Sequence, residues 1–482
     1  MVLCLELGMA NEIRVKPTSW SPRGEAIATG PGGVPVVVWN GVVGEEAVVR
    51  VNHRGQNQWA AYFVETDHPH PERVPAPCKK FVSCGGCPTM HLTEKGQWGV
   101  RRALVANALS EHNLADVTIG AQHECPDGQE GYRHLIKLGA GYSDQRHIRL
   151  GAWGRRTRSV VPIPKCSVAT PILGKVMRSL AQNIIDLNIH PYLPETDEGV
   201  LRSVVVRASR STGEVLVTLV VGRRDRALSE LAERVSEEVS NIVGVWLHRN
   251  NEEGNAIFAR DMNGHVGVRA VLGKSWIEEE LNGVRYRIGP GDFFQTNPAT
   301  AEVLYQRVMD RLELSNGDTF VDLYSGVGGL ALQGARRAGW ALGIEEVPGA
   351  VERARESTRI NGLTAEFMAE FVVHALPEIE RRLGDRGPIV TVNPARRGLE
   401  EGVIEGILGL KPRRLAYVSC NPRSLARDLV RFRDAGWKIG ELELFDMFPN
   451  TPHVETFVVL ESPGMSSIPT VRPPKRRKVR KS

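Results

Sequence analysis

The chain has 482 residues, 41% of them hydrophobic, which is enough for two or three domains with their own cores. No run of residues reads as a membrane span, and seven cysteines in a chain of this length do not indicate a disulfide scaffold. The net charge of +5 comes from the end of the chain, where 472–482 carries seven Lys and Arg and leaves the preceding residues at −2. We expect a cytoplasmic protein with no membrane association. We expect residues 465–482 to be a basic disordered tail that is solvated or contacts nucleic-acid phosphates; a nuclear-targeting signal has a similar composition.

The first segment, 1–68, has the pattern of a small β-barrel. The strand-like runs VPVVVWN, EEAVVRVN and WAAYFVE are separated by glycine-rich turns. The proline-rich run HPHPERVPAP follows and marks a linker. Residues 69–290 then mix alternating strands with helices near 97–112 and 228–239, which predicts an α+β central domain.

The segment 291–464 alternates helices and strands. It contains TFVDLYSGVGGLALQGARRAG, a buried strand followed by a glycine-rich turn and a helix, and the later strands WALGIEEV, PIVTVNP, RLAYVSCNP and FVVLES. This order predicts an α/β domain built on a parallel, doubly wound sheet.

The glycine-rich turn indicates a nucleotide-like ligand. Gly326, Gly328 and Gly329 let the backbone approach a ligand at a helix N-terminus, and Glu345 ends the next strand, where a carboxylate can bind a ribose diol. Such a turn is also common as a plain strand-to-helix connection. The turn together with Glu345 favours S-adenosylmethionine or a dinucleotide.

Cys420 stands at the end of the run RLAYVSC. A buried cysteine is usually a small hydrophobic residue, but the carboxyl ends of parallel strands face the ligand crevice of such folds. The segment DMFPNTPHVETFVVLE brings His453 and Glu455 to the same rim. We therefore expect a thiol, a carboxylate and an adenosine site to converge.

These motifs resemble the uridine-C5 RNA methyltransferase family, which makes 5-methyluridine in ribosomal and transfer RNA. SCNPRSLARDL is similar to the family's nucleophile motif, FPNTPHVE to its general-base motif, GDFFQTN to the segment before its methyl-donor fold, and NPARRG to its Asp-Pro-Pro-Arg-x-Gly motif. The N-terminal segment resembles the TRAM RNA-binding domain, an OB-like barrel. The resemblance implies a Rossmann-like S-adenosyl-L-methionine-dependent methyltransferase domain.

The resemblance also assigns residue roles. Cys420 would add to carbon 6 of uracil as a thiolate, so we expect its site to favour the anion, and Glu455 would remove the carbon-5 proton. Gln295, Tyr324 and Glu345 match the family's contacts to the methyl donor. Taken alone, Gln295 would be a buried structural amide.

Four other cysteines have the arrangement of metal ligands. Cys78, Cys84 and Cys87 lie in CKKFVSCGGC, and Cys166 lies far downstream. On ligand chemistry alone, four thiolates suit either zinc or an iron-sulfur cluster. The arrangement resembles the family's [4Fe-4S] site, which has this first spacing and a distant fourth ligand.

Three positions depart from the family pattern around the donor and the target base. Asn393 replaces the first aspartate of the Asp-Pro-Pro-Arg motif, Gly329 stands where asparagine is frequent, and Phe371 stands where a polar residue contacts adenine. An amide at 393 matches the edge of uracil, and a ring at 371 can stack on adenine. The alternative is a non-catalytic RNA-binding relative. We expect a monomer that methylates folded RNA, with ribosomal RNA preferred over transfer RNA.

Overall fold

The computed structural model describes residues 11–463, apart from 144, 156, 158, 255, 262–265 and 385. The predicted basic tail, 465–482, lies outside the described residues. Among the described helices, none combines the length and the apolar composition that crossing a lipid bilayer requires.

Six short strands make up the N-terminal region: β1 (Glu12–Val15), β2 (Ser19–Trp20), β3 (Ala26–Thr29), β4 (Pro35–Trp39), β5 (Ala47–Arg54) and β6 (Trp59–Glu65). They form one sheet in the order β1-β5-β6-β4-β3-β2, antiparallel except between β4 and β6. Alternate residues such as Val36, Val38, Val49 and Val51 form its buried core. This β-rich region is consistent with the predicted OB/TRAM-like domain.

The central region starts with helix α1 (Glu94–Glu111) and contains α2 (Pro171–Asp186) and α3 (Ala227–Glu238). Its strands are β7 (Ile119–His123), β8 (Leu135–Tyr142), β9 (Ile148–Trp153), β10 (Val160–Val161), β11 (Leu201–Ala208), β12 (Val215–Val221), β13 (Ile242–Arg249) and β14 (Val268–Gly273). All but β7 form a seven-stranded sheet in the order β10-β9-β8-β11-β12-β13-β14, and α2 and α3 pack on its apolar face.

The last region begins with a hairpin of β15 (Ile277–Leu281) and β16 (Val284–Ile288), and helices then alternate with strands. The helices are α4 (Pro298–Leu312), α5 (Gly329–Ala338), α6 (Pro348–Asn361), α7 (Val372–Leu383), α8 (Val403–Gly409) and α9 (Pro422–Asp434). The strands are β17 (Phe320–Leu323), β18 (Ala341–Glu345), β19 (Ala365–Ala369), β20 (Ile389–Val392), β21 (Arg414–Ser419), β22 (Lys438–Ile439), β23 (Leu442–Phe445) and β24 (Glu455–Glu461).

These strands form one catalytic sheet in the order β19-β18-β17-β20-β21-β24-β23-β7, with β22 also paired to β24. The five neighbouring strands β19, β18, β17, β20 and β21 are parallel, as predicted. The prediction that FVVLES continues the parallel series is wrong, because β24 runs antiparallel to β21. The loop 446–454 joins β24 to its neighbour β23, and the chain reverses its direction there, so β24 is antiparallel to β23 as well.

Helices cover both faces of the catalytic sheet because its central strands are apolar on both sides. One core includes residues of α1, α7, α8 and α9, and the other includes residues of α4, α5 and α6 with the β15–β16 hairpin. Helix α1 and strand β7 belong to the segment 69–290 in sequence, yet they pack against this sheet. This three-layer arrangement is the predicted α/β methyltransferase-like fold.

Candidate active site

Predicted site residues converge at one edge of the catalytic sheet. Asn393 directly follows β20 and Cys420 directly follows its parallel neighbour β21. Glu455 is the first residue of the antiparallel strand β24, in which Thr456 stands opposite Ser419. The start of β24 therefore lies beside the end of β21, which places Glu455 next to Cys420.

The glycine-rich turn lies at the same edge, after β17. Tyr324, Gly326 and Gly328 all have positive φ, at 66°, 55° and 90°, so the chain turns sharply into α5. The Glu345 carboxylate accepts hydrogen bonds from the backbone N–H groups of Gly326 and Val347, each at 2.9 Å. Burial raises the pKa of Glu345, and these two hydrogen bonds oppose that shift.

The turn leaves room and free polar groups for a ligand. A Cβ built on Gly326 would meet nothing nearer than the Phe293 carbonyl oxygen at 4.0 Å. The buried Ser325 hydroxyl has no hydrogen-bond partner in the described part of the chain. Gln295 is buried at 7% exposure, and its amide also makes no hydrogen bond among the described residues. These groups fit an adenosine-type methyl donor held by Glu345.

Asp322 supports this turn from below. It accepts a hydrogen bond at 2.8 Å from the N–H of Ala331 in α5 and one at 2.6 Å from the Thr391 hydroxyl in β20. Its burial raises the pKa of the carboxyl to about 7. Asp322 thus joins β17, β20 and the start of α5, a role that its position at a strand end did not reveal.

Three ionisable side chains, Cys420, Glu455 and Arg396, lie together at the rim. Burial first, and then the Glu455 carboxylate, raises the pKa of the Cys420 thiol to about 11. Burial raises the pKa of Glu455 to about 8, and its side chain is only 4% exposed. The positive charge of Arg396 lowers both pKa values.

The expectation that the Cys420 site itself favours a thiolate is wrong for the protein without ligands. Desolvation and the neighbouring acid outweigh the single cation Arg396, because removing a charge from water is costly unless it is fully paired. A cationic donor beside the thiol would supply the missing positive charge.

Two side chains of the SCNPRSLARDL motif hydrogen-bond the backbone of the NPARRG motif. Asn421, which caps α9, donates to the Arg396 carbonyl oxygen at 2.7 Å, and the Ser424 hydroxyl donates to the same oxygen at 3.1 Å. Arg396 is therefore held beside Cys420. Sequence reasoning did not assign it a role, although its place in a motif at the end of β20 was a usable signal.

Two departures from the family pattern have visible surroundings. Phe371 follows β19 at the same sheet edge, and its ring is half exposed. A Cβ on Gly329 would lie 2.6 Å from the Tyr305 hydroxyl. The Tyr305 side chain therefore occupies the space that a larger residue at position 329 would need. Tyr305 is buried near Asp322 and Glu455, whose charges raise its pKa after burial itself. No sequence pattern indicated this contact.

The four predicted cysteine ligands surround one cavity of about 530 Å³: Cys78, Cys84, Cys87 and Cys166. Burial above all raises the pKa of Cys84 and, to about 12, that of Cys87, and neighbouring sulfurs add to both shifts. Among the described residues, no three His, Cys, Asp or Glu side chains are placed to hold a single metal ion. Each thiolate of an Fe–S cluster binds its own iron, so four thiols spread around a cavity fit a cluster's ligand set.

The chain is similar to known RNA methyltransferases along most of its length. Residues 256–463 match the model of the tRNA (uracil-5-)-methyltransferase family. An uncharacterized RNA methyltransferase of Geobacter sulfurreducens is 31% identical over 455 residues, covering 93% of this chain and 89% of that protein. One of Caldanaerobacter subterraneus subsp. tengcongensis is 29% identical over 463 residues, covering 95% and 99%.

A solved structure has the same overall fold. The Pyrococcus abyssi tRNA (uracil-54, C5)-methyltransferase, in complex with S-adenosyl-L-homocysteine, is 26% identical and matches with a TM-score of 0.70. The match covers 93% of this chain and 100% of that one. The chain therefore belongs to the S-adenosylmethionine-dependent uracil-C5 RNA methyltransferase family and is an RNA methyltransferase.

Proposed function

We propose that the protein makes 5-methyluridine in a folded RNA through a covalent adduct between the Cys420 sulfur and carbon 6 of uracil. The observation that carries this proposal is the meeting of Cys420, Glu455 and Arg396 beside the glycine-rich turn. A nucleophile, a base and a donor site within one crevice are the parts that such a reaction needs. The target uridine would have to leave any base pair or stack to reach the thiol.

The reaction balances with these groups and a methyl donor, S-adenosylmethionine, which would leave as S-adenosylhomocysteine. The Cys420 thiol loses its proton to solvent, and the thiolate forms a bond to carbon 6, which makes carbon 5 nucleophilic. Bound S-adenosylmethionine would supply the electrophilic methyl group. Glu455 then takes the proton from carbon 5, the double bond re-forms, and Cys420 leaves as a thiolate.

The electrostatics of the site match these demands when the donor is bound. A carboxyl whose pKa is raised to about 8 is a stronger base than an ordinary glutamate, provided that it can ionise near neutral pH. A sulfonium near Arg396 would favour both anions, Cys420 thiolate and Glu455 carboxylate, because opposite charge lowers the pKa of an acid. Donor binding would thus prepare the nucleophile and the base together.

Asn393 is proposed to read the edge of uracil. It is half-buried at the end of β20, next to the strand that ends at Cys420. Its amide can donate to a uracil carbonyl and accept from ring N–H, and exchanging a charge-assisted bond for this neutral one costs about 1–2 kcal/mol. Asn393→Asp should change the methylation rate or the discrimination between uracil and cytosine. If both stay as in the parent protein, Asn393 does not read the base.

We propose ribosomal RNA as the substrate, because the N-terminal β-rich region and the four cysteines resemble those of members that act on ribosomal RNA. The cysteines would hold a [4Fe-4S] cluster in the cavity that they line. Transfer RNA is the second candidate. It is supported by the match along 93% of this chain to the Pyrococcus abyssi enzyme, whose substrate is uracil 54 of tRNA.

Nucleoside mass spectrometry tests the reaction and the substrate class together. Unmodified transcripts of 23S ribosomal RNA and of transfer RNA are incubated with S-adenosylmethionine and either the parent protein, Cys420→Ala or Cys125→Ala. Cys125 is a matched control, since it is a buried thiol that accepts a hydrogen bond from Asn297 and lies outside this crevice.

The parent protein and Cys125→Ala should form 5-methyluridine in one RNA class, and Cys420→Ala should form none. A different methylated nucleoside would overturn the proposed reaction. Formation of 5-methyluridine by Cys420→Ala would overturn the proposed nucleophile.

A further inference from the structure

The loop that leads into Glu455, Asp446 to Val454, is called here the approach loop. Glu455 itself is buried, and no donor in the described part of the chain hydrogen-bonds its carboxylate. Its position is therefore fixed by its backbone, at the junction of the approach loop with β24. Its backbone is held by pairing with Phe445 of β23 and by the approach loop that leads into it.

Arg101 of α1 binds that loop at two places, its first residue Asp446 and Thr451. Its guanidinium donates to the Asp446 carboxylate at 2.9 Å and, through Nε and Nη2, to the Thr451 carbonyl oxygen at 3.2 and 3.1 Å. Both charged side chains are almost completely buried, at 0% exposure for Arg101 and 1% for Asp446. Buried charges with this many partners define one geometry, and loss of one partner leaves the other unpaired.

The middle of the approach loop is hydrogen-bonded by residues that lie before and after Arg101 in sequence. Gln97, one turn before Arg101, accepts from the Asn450 N–H at 2.8 Å and donates to its side-chain oxygen at 3.3 Å. Asn450 has a positive φ of 66°, an uncommon conformation that these bonds stabilise. The Thr89 N–H donates to the Asn450 carbonyl oxygen at 3.1 Å, and the Tyr132 hydroxyl donates to Pro449 at 2.9 Å.

These contacts lie on the Glu455 side of the crevice. Cys420 directly follows β21, and the next residue, Asn421, donates a hydrogen bond to the Arg396 carbonyl oxygen. Within the described part of the chain, none of the Arg101 hydrogen bonds goes to these residues. A change at Arg101 therefore reaches the base more directly than the nucleophile.

From this asymmetry we infer that Arg101 is a positioning residue, which sets Glu455 through the approach loop for removal of the carbon-5 proton. The inference rests on the proposed function, since it concerns the step that resolves the adduct. It assigns Arg101 to that step and not to the addition of Cys420.

The test measures two rates separately in single-turnover reactions. Unmodified transcripts of 23S ribosomal RNA and of transfer RNA are mixed with S-adenosylmethionine and protein, and the denaturation-resistant RNA–protein adduct is followed over time. Arg101→Met should form the adduct at nearly the parent rate and resolve it about tenfold to a hundredfold more slowly, as expected when a catalytic group is displaced by about 1 Å. Adduct would accumulate, as it would in Glu455→Gln.

Arg73→Met is the matched control. Arg73 also forms a buried pair, donating to Glu45 at 2.7 Å and to the Asn40 carbonyl oxygen at 2.9 Å, but in the N-terminal region. This variant should leave the ratio of the two rates unchanged. Equal slowing of both rates in Arg101→Met, or no change in their ratio, would overturn the inference.

A second variant decides the matter if Arg101→Met does not fold. Gln97→Met loses both bonds to Asn450 and the 3.4 Å bond that Gln97 accepts from Arg101, but it keeps both partners of the Arg101–Asp446 pair. It should shift the ratio in the same direction by a smaller factor. An unchanged ratio in a folded Gln97→Met would count against the inference. Absence of any adduct in Glu455→Gln would instead overturn the proposed function itself.

Discussion

At the scale of single residues, the crevice holds two acids that share one cation. Burial raises the pKa of both Cys420 and Glu455, and the Glu455 carboxylate raises that of Cys420 further. Arg396 is the positive charge that acts on both groups. Burial and the neighbouring acid therefore favour the neutral thiol of Cys420 over its thiolate.

Replacement of Arg396 tests this charge balance. Arg396→Met should raise the pKa of Cys420 further above its ordinary value, because a neighbouring cation shifts an acid by about 1–3 pKa units. The alkylation rate follows the thiolate fraction, which reaches one half at the thiol pKa. A higher pKa should therefore move the alkylation profile to higher pH. At pH 8 the rate of Cys420 alkylation by iodoacetamide should fall about tenfold.

Arg397→Met serves as the control for this experiment, since the exposed Arg397 pairs with Glu400 and not with the thiol. It should leave the alkylation profile in place. A profile of Arg396→Met that coincides with the parent's would show that Arg396 does not stabilise the anion.

At the scale of elements, the sequence predicted the site where local patterns suffice. Cys420 and Glu345 could be placed because the carboxyl ends of parallel strands meet at one edge, and the strands themselves are readable as apolar runs. The direction of β24 was not readable, because a buried strand has the same apolar run whether it is parallel or antiparallel. The motif around Glu455, not the strand pattern, supplied that residue.

Contacts between distant segments could not be predicted in this way. Arg101 and Asp446 are 345 positions apart, and nothing in the periodicity of α1 marks one of its arginines as buried. The contact between Tyr305 and Gly329 likewise depends on how α4 packs on α5. Such pairings follow from the packed fold and not from any single element.

The packing of α4 on α5 gives a testable prediction about Gly329. Gly329→Ala should reduce the free energy of unfolding by about 1–3 kcal/mol, since its Cβ would clash with the Tyr305 hydroxyl at 2.6 Å. The double variant Gly329→Ala, Tyr305→Phe should recover part of that loss, because the clashing oxygen is gone. Thermal and denaturant unfolding of the four proteins in this cycle measures the coupling, and strictly additive effects would contradict the contact.

At the scale of the whole molecule, three regions of the chain meet around the crevice. The approach loop packs against the N-terminal region, where a Cβ on Gly24 would lie 2.3 Å from Pro452. It is also bonded to Thr89, two residues after Cys87, and to α1. The cysteine segment and the approach loop are thus parts of one packed unit, although they are far apart in sequence.

The four cysteines give a prediction about metal content. The protein prepared without oxygen should contain iron and acid-labile sulfide, and Cys166→Ser should lose most of both because the fourth thiolate is missing. Cys125→Ser, a nearby buried thiol that does not line the cavity, should retain them. Elemental analysis that finds stoichiometric zinc in place of iron would contradict the proposed cluster.

The proposed reaction depends on a bond from the Cys420 sulfur to uracil and on removal of the carbon-5 proton by Glu455, which releases that bond. Glu455→Gln, incubated with S-adenosylmethionine and unmodified transcripts of 23S ribosomal RNA and of transfer RNA, gives the most direct measurement. A denaturing gel should show an RNA–protein adduct with one RNA class, and adding Cys420→Ser to the same protein should abolish it. No adduct with either RNA, or an adduct that survives Cys420→Ser, would contradict the account.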